Sequence, residues 1–226
     1  MSASPARPRK DQIRNRKALI AAGKEVFAER GIDAPMDLVA RRANLSNASL
    51  YRHFPRREDL IAEVLLTNLG RAEVALAEGL AHEDGWAGFV HYLGWLFAEQ
   101  IDNPAYLGAL RAIPAGRSAE VDRLRDKLLT ELEDLIARAK DQGALRRDRW
   151  LEDVFLYLSL NEQLAHAHTD PHSASRRLLE LALSSLRLGD DGTSTQDVPE
   201  PPSVLALRRT VGHEVAGLPL AETAEE

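Results

Sequence analysis

The 226-residue sequence contains no cysteine, which excludes disulfide scaffolds, zinc ribbons, iron–sulfur clusters and cysteine nucleophiles. No apolar run approaches the roughly 20 residues of a membrane-spanning helix, and no apolar signal-peptide core follows the basic N-terminus. We therefore expect a soluble, cytoplasmic protein with no membrane partner. Sustained alternation of apolar and polar residues, which is typical of half-buried strands, is also missing. The missing alternation predicts an all-α fold.

Catalytic motifs are equally scarce. The sequence has no Gly-x-Ser-x-Gly, no phosphate-binding glycine loop and no His-Glu-x-x-His. His166, His168 and His172 resemble a metal-binding group, but residues two apart on a helix point about 200° away from each other, and Pro171 interrupts the helix before His172. We expect no catalytic residue, no metal and no cofactor, although a pocket assembled only in three dimensions remains an alternative.

The charge is distributed unevenly along the chain. Residues 1–57 contain 13 Lys and Arg against five Asp and Glu, a net charge of +8, whereas the whole chain carries −6. A basic segment on an acidic body is typical of a polyanion-binding domain. Charge alone does not separate DNA from RNA or anionic lipid, and an ordinary solvated basic surface is the alternative.

Helical periodicity and the positions of Gly, Pro and Asn predict nine helices. Gly31 ends the first helix, and Asn44 tolerates the left-handed backbone of a tight turn between the second and third. The predicted helices are 11–30, 36–43, 47–53, 57–82, 86–101, 104–113, 118–142, 149–168 and 173–188.

Four regions follow from this reading. Residues 1–10 form a basic flexible arm, residues 11–57 a helical head and residues 58–188 a helical body. Residues 189–226 contain eight acids, two Arg and four prolines, and this composition predicts an acidic, disordered tail.

The third predicted helix has the features of a helix that reads DNA. Leu45, Leu50 and Phe54 share one broad inner face, which leaves small polar and basic side chains outside. In a helix-turn-helix, such side chains at the start of the second helix reach base edges in the major groove. Asn can bind adenine through two hydrogen bonds, and Ser can bond to a base or a phosphate. The outward side chains are Ser46, Asn47, Ser49 and Arg52.

Three segments of the head carry a family resemblance. They are residues 21–31 (AAGKEVFAERG), residues 39–46 (VARRANLS) and residues 50–54 (LYRHF), followed by Arg57-Glu58-Asp59-Leu60. Together they resemble the tetracycline-repressor (TetR) family over about residues 11–65. The resemblance implies an all-α homodimer with an N-terminal helix-turn-helix domain and a C-terminal domain for ligand binding and dimerisation. It also implies a repressor released from a palindromic operator in double-stranded DNA by a small-molecule effector.

The resemblance assigns roles to individual residues. Tyr51 and His53 match the family's phosphate-contacting Tyr and His, and Arg57 matches its phosphate-contacting Lys. Residues 46–49 match the start of its recognition helix. The predicted DNA-binding residues are Ser46, Asn47, Ala48, Ser49, Tyr51, Arg52, His53, Arg57 and Arg14.

The body carries weaker signals. Its aromatic side chains and a few polar groups can line an apolar effector pocket, or they can form ordinary core. Leucine-rich helices around residues 156–164 and 178–186 suit a four-helix dimer interface, with intrachain core as the alternative. The predicted ligand-binding residues are Trp86, Phe89, Tyr92, Trp95, Tyr106, Phe155, Asn161 and His166.

Two classes of function are consistent with these features. The first is a homodimeric transcriptional repressor that binds DNA and a small-molecule effector. The second is a helical enzyme or protein-interaction module that keeps the scaffold without binding DNA. Binding to duplex DNA at low salt separates the two classes.

Overall fold

The computed structural model describes residues 6–167 and 169–189, except for the side chains of residues 6–9, 105, 107, 166 and 167. This part of the chain forms nine α-helices and no β-strand, with one isolated antiparallel bridge between Leu145 and Arg187. The predicted all-α class is therefore confirmed. The helices are α1 (Ala6–Arg30), α2 (Met36–Arg42), α3 (Asn47–His53), α4 (Arg57–Ala81), α5 (Gly85–Asp102), α6 (Ala105–Ala112), α7 (Ala119–Asp141), α8 (Leu151–Ala167) and α9 (Pro171–Leu186).

The observed helix bounds agree with the predicted ones to within two residues, except at the start of α1. That helix begins at Ala6, five residues before the predicted start, so residues 6–10 of the predicted flexible arm are helical. Pro8 does not prevent this because the first helical turn does not need its backbone N–H. The predicted tail lies outside the described residues, apart from residue 189.

Side-chain caps and left-handed turns set the helix ends. Ser46 precedes α3, and its hydroxyl accepts a hydrogen bond from the backbone N–H of Ser49 at 3.2 Å. Asp84 and Asp170 cap α5 and α9 in the same way, which satisfies N–H groups that have no partner within the helix. Asn44 has a φ of 54° and Gly31 a φ of 81°, as the predicted turns require.

The head packs around one apolar cluster. Leu19 of α1, Val39 of α2, Leu50 of α3 and Leu60 of α4 are fully buried, and Phe54 is 1% exposed. Burial of each such side chain stabilises the fold by roughly 1.5–3 kcal/mol. The short helix α3 is therefore held to the head by its inner face alone.

Helix α4 connects the head to the body. It packs on α1 of the head and on α5, α6 and α7 of the body. At the α4–α5 crossing, an added Cβ on Gly88 would lie 2.2 Å from the carbonyl oxygen of Gly79. The two backbones therefore approach so closely that only glycine fits at position 88.

The rest of the body is a bundle in which α5 contacts α7, α8 and α9. Its loops are also tied together, because Arg146 N–H donates to the Leu186 carbonyl at 3.0 Å and Leu188 N–H donates to the Ala144 carbonyl at 2.9 Å. Within residues 6–167 and 169–189, none of the helices has both the length and the apolar character needed to cross a bilayer.

Candidate functional site

Helix α3 presents a polar face to solvent. Leu50 and Phe54 are buried beneath it, as the sequence predicts, whereas Leu45 is only partly buried. Ser46, Asn47, Ala48 and Arg52 are exposed, Tyr51 is 52% exposed, and Ser49 and His53 are half-buried. This arrangement leaves the predicted reading residues accessible on a helix that is fixed from behind.

Several of these side chains have free hydrogen-bonding groups. Among the described residues, nothing forms a hydrogen bond or ion pair with the side chains of Asn47, Tyr51 or Arg52. The Ser46 oxygen caps the helix, yet its hydroxyl hydrogen can still be donated outward. The exposed face therefore offers amide, hydroxyl and guanidinium groups, which are the groups that bind base edges and phosphates.

Arg57 is partly committed to the head's own backbone. Its Nη1 donates to the carbonyl oxygens of Ile32 at 3.0 Å and Ala34 at 2.8 Å, both in the loop between α1 and α2. These bonds fix that loop against the start of α4. The other guanidinium nitrogens of Arg57 are still available to a phosphate. The phosphate contact of Arg57 therefore stays a prediction, in addition to its structural role in the loop.

Other cations of the head are neutralised by neighbouring acids. Arg42 forms ion pairs with Glu25 at 2.9 Å and with Glu29 at 2.7 Å, and its hydrogen bond lowers the pKa of the Glu29 carboxyl. Arg16 similarly binds Glu63 at 2.6 Å. The positive charge available to a polyanion is therefore smaller than the residue count indicates.

Arg14 remains accessible on α1. Its side chain is 75% exposed and lies 3.3 Å from Asp11, one turn earlier. Exposed pairs of this kind contribute roughly 0–1 kcal/mol, so the contact does not hold Arg14 away from a phosphate. Arg14 stays a predicted DNA contact.

The predicted ligand-binding aromatics belong mostly to the core. Phe89, Tyr92 and Tyr106 are buried, and Trp86, Trp95 and Phe155 are partly buried around the same core. They form separate pairs: the ring centroids of Trp86 and Phe89 lie 5.8 Å apart, and those of Tyr92 and Trp95 lie 6.2 Å apart. Burial raises the pKa of Tyr92 and of Tyr106 above the usual value, so both phenols stay protonated at neutral pH.

Asn161 is fully buried and already bonded, while the side chain of His166 lies outside the described residues. The Asn161 amide donates to the Phe97 carbonyl at 3.0 Å and to Gln100 Oε1 at 2.8 Å. These bonds join α8 to α5, which gives Asn161 a structural role. A contact with a ligand remains a prediction for both residues.

Comparison with known proteins decides the family. Residues 19–64 match the family model described as bacterial regulatory proteins of the tetR family, and residues 86–188 match the C-terminal domain of SbtR-like transcriptional regulators. The two matches span both the head and the body. This chain belongs to the TetR family. No curated protein matches its sequence significantly.

Solved structures agree with this assignment. The TetR regulator SCO0520 of Streptomyces coelicolor is 28% identical, with a TM-score of 0.56 over 76% of this chain and 98% of that one. A TetR-family regulator of Agrobacterium tumefaciens shares the fold at 16% identity, with a TM-score of 0.64 over 78% of this chain and 99% of that one. RolR, solved in complex with resorcinol, also shares the fold at 16% identity, with a TM-score of 0.51 over 93% of this chain and 98% of that one.

Members of the TetR family are DNA-binding transcriptional regulators, and this chain is one of them by family. The family assignment, which the sequence of the head predicted, is thereby confirmed for both the head and the body. Helix α3, the exposed polar helix described above, lies within the matched residues 19–64.

This TetR-family chain also has two cavities that the sequence did not indicate. One, of about 390 Å³, lies between the head and the loop from α6 to α7. The other, of about 290 Å³, lies between α5 and α9. Among the described residues, none of the predicted ligand-binding side chains lines either cavity. The predicted ligand-binding residues stay a prediction, and the α5–α9 cavity forms beside the small residues Gly94 and Ala98.

Proposed function

We propose that the protein is a homodimeric repressor that binds a palindromic operator and leaves it when a small-molecule effector binds the body. The observation that carries this proposal is the exposed polar face of α3, held by the buried Leu50 and Phe54. In this reading, residues 11–57 form the DNA-binding head and residues 58–188 the effector-binding and dimerisation body. The protein acts on DNA in the cytoplasm and has no catalytic role.

The predicted DNA-binding side chains divide into two groups in this proposal. Asn47, Ser46, Ser49 and Arg52 face base edges in the major groove and provide sequence preference. Tyr51, His53, Arg57 and Arg14 bind phosphates and set the register of the helix on the duplex. In a dimer, two such heads contact half-sites that are one helical turn, about 34–36 Å, or a multiple of it apart.

An apolar face on the body supports dimerisation. Leu156 and Leu160 on α8 are 41% and 56% exposed, and Leu181 on α9 is 50% exposed. Leu156 and Leu160 are one turn apart on the same side of α8, and α8 packs against α9. We call these three residues the leucine face, and we propose that it meets the same face of a second copy around a twofold axis.

Two contacts offer a route from the effector to the head. A Cβ added at Gly108 of α6 would lie 3.7 Å from Ile32, so α6 supports the loop that Arg57 also holds. Helix α4 runs continuously from the head into the body. An effector that favours another packing of α6 and α4 would change the spacing of the two heads and shift the population away from the DNA-binding form. The resorcinol bound to RolR favours a small effector.

The salt dependence of DNA binding tests the proposal. The Arg14→Ala variant is expected to bind duplex DNA more weakly, and the slope of log K against log salt should become shallower by about 1, because one phosphate contact fewer releases counterions. The measurement is fluorescence anisotropy with DNA selected by the wild-type protein, over a series of salt concentrations.

A control variant and a stability variant accompany this measurement. Arg123→Ala removes an exposed cation from α7 and should leave the slope unchanged. Arg57→Ala should lower the free energy of unfolding by about 1–3 kcal/mol because two loop carbonyls lose a charged donor. Equal salt slopes for wild type and Arg14→Ala would contradict the placement of Arg14 at a phosphate.

A further inference from the structure

The α5–α9 cavity has the features of a built ligand site. Its volume of about 290 Å³ is near the lower end of the usual range for ligand pockets, about 300–1,000 Å³. Its size therefore suits a small molecule rather than a peptide or a protein. The lining residues are Gly94, Phe97, Ala98, Ile101, His172, Ser175, Arg176 and Leu179.

The wall of the cavity is mostly apolar. Phe97 is 2% exposed and Ile101 is 8% exposed on the α5 side, and Leu179 packs against this core from α9. A Cβ added at Gly94 would lie 3.8 Å from Leu179, an ordinary contact distance. Hydrocarbon groups of a ligand would replace water against this surface, which is favourable.

Ser175 provides a polar group inside this apolar wall. The residue is only 4% exposed and lines the cavity. Within the described part of the chain, no side chain or carbonyl forms a hydrogen bond with its hydroxyl. The hydroxyl is thus open to the cavity, where it can donate a hydrogen bond to a polar atom of a ligand.

The charge at the cavity is positive. Arg176 is exposed and has no hydrogen bond among the described residues, and it is the only Lys, Arg, Asp or Glu among the residues that line the cavity. His172 Nε2 lies 3.0 Å from Asp102 Oδ1. Asp102 does not line the cavity and is already paired with His172. Asp170 caps α9 through Ser173 N–H, and the pKa of Asp170 is lowered by the side-chain and backbone hydrogen bonds of Ser173 and, to a smaller extent, by the charge of Arg176. The cavity is therefore lined by one guanidinium and by no carboxylate, and the nearby acids Asp102 and Asp170 are held outside the lining by His172 and Ser173.

The cavity and the leucine face lie on different sides of α9. Residues 172, 175, 176 and 179 follow the spacing of one helix face and cover the cavity. Leu181 is about 200° from Leu179 around the helix and is exposed. Dimerisation through the leucine face would thus leave the cavity-facing side of α9 free for a ligand.

We propose that the α5–α9 cavity binds a small amphipathic monoanion, a carboxylate with a short hydrocarbon body. The hydrocarbon lies against Phe97, Ile101 and Leu179, and the carboxylate accepts hydrogen bonds from Ser175 and Arg176. The role of this monoanion as the effector that releases the protein from DNA rests on the function proposed above. Binding of the monoanion to the cavity does not rest on that function.

Isothermal titration calorimetry on the full chain without DNA tests the site. The probes are octanoate, 1-octanol and octylamine, which share a hydrocarbon body and differ in the charge of the head group. We expect octanoate to bind at least tenfold more tightly than the other two. Arg176→Gln should weaken octanoate binding by about tenfold or more, because charge-assisted hydrogen bonds are lost. Ala98→Phe should abolish binding by filling the cavity.

The matched control is Arg177→Gln, which removes an exposed cation next to Arg176 on α9 but outside the lining, and octanoate affinity should stay at the wild-type value. No octanoate binding, equal binding of the three probes, or equal losses in Arg176→Gln and Arg177→Gln would overturn the proposal. A change of oligomeric state in Ala98→Phe would also overturn it, since the cavity would then belong to an interface between copies.

Failure of the site and failure of the proposed function give different results. If octanoate binds in the cavity but leaves operator affinity unchanged, the ligand site stands and its role as an effector site fails. If the protein does not bind duplex DNA at any salt concentration, the proposed function fails whatever the calorimetry gives.

Discussion

Glutamate at both Leu156 and Leu160 is expected to convert the proposed dimer into a monomer and to weaken operator binding by at least about 100-fold. Both side chains belong to the exposed leucine face, and a carboxylate buried there without a partner is strongly unfavourable. Loss of the dimer also removes the advantage of joining two heads, which raises avidity by roughly 10²–10⁴-fold. Sedimentation velocity measures the mass, and anisotropy on operator DNA measures the affinity.

The matched control is Val74→Glu. Val74 is 59% exposed on α4, a helix that does not belong to the leucine face, so both the mass and the affinity should stay at wild-type values. A double variant that remains dimeric would place the interface elsewhere. A monomeric variant with unchanged operator affinity would show that binding does not need two joined heads.

The second large effect is expected at the α4–α5 crossing. The Gly88→Ala variant should lose about 3 kcal/mol or more of the free energy of unfolding, because its methyl group would lie 2.2 Å from the Gly79 carbonyl oxygen. Neither backbone can yield without moving a whole helix, and overpacking of a core typically costs about 1–3 kcal/mol even when side chains can adjust. Urea denaturation followed by circular dichroism gives the change in free energy.

Gly70→Ala serves as the control on α4. An added Cβ at Gly70 has no neighbouring atom within 4 Å, so this variant should gain about 0.5–1 kcal/mol from the lower backbone entropy of alanine. Equal stability of Gly88→Ala and wild type would mean that the two helices cross at a larger distance than the structure gives.

Local patterns made the head predictable. The spacing of Leu50 and Phe54 predicted their burial, and Asn44 and Gly31 predicted left-handed turns that the structure contains. These features depend on residues a few positions apart, where helical geometry and backbone sterics decide the outcome. The exposed face of α3 followed from the same periodicity.

Contacts between distant parts of the chain were not predictable in this way. Arg57 holds carbonyl groups more than 20 residues earlier, and nothing in the local sequence distinguishes it from a free surface cation. The α5–α9 cavity joins residues of α5 to residues of α9 about 75 positions later. Small residues at Gly94 and Ala98 were the available signal, but small residues also occur in tightly packed crossings such as that at Gly88.

The most direct test of the central claim, that α3 reads the major groove, is selection of bound sequences from a random duplex pool by wild type and by Asn47→Ala. We expect the wild type to select an inverted repeat with half-sites one helical turn or a multiple apart. Asn47→Ala should lose about tenfold in preference at one position of each half-site, because a bidentate contact to a base is worth about 1–3 kcal/mol. A variant that selects the wild-type motif with undiminished preference at every position would contradict the claim, as would a wild type that selects no motif.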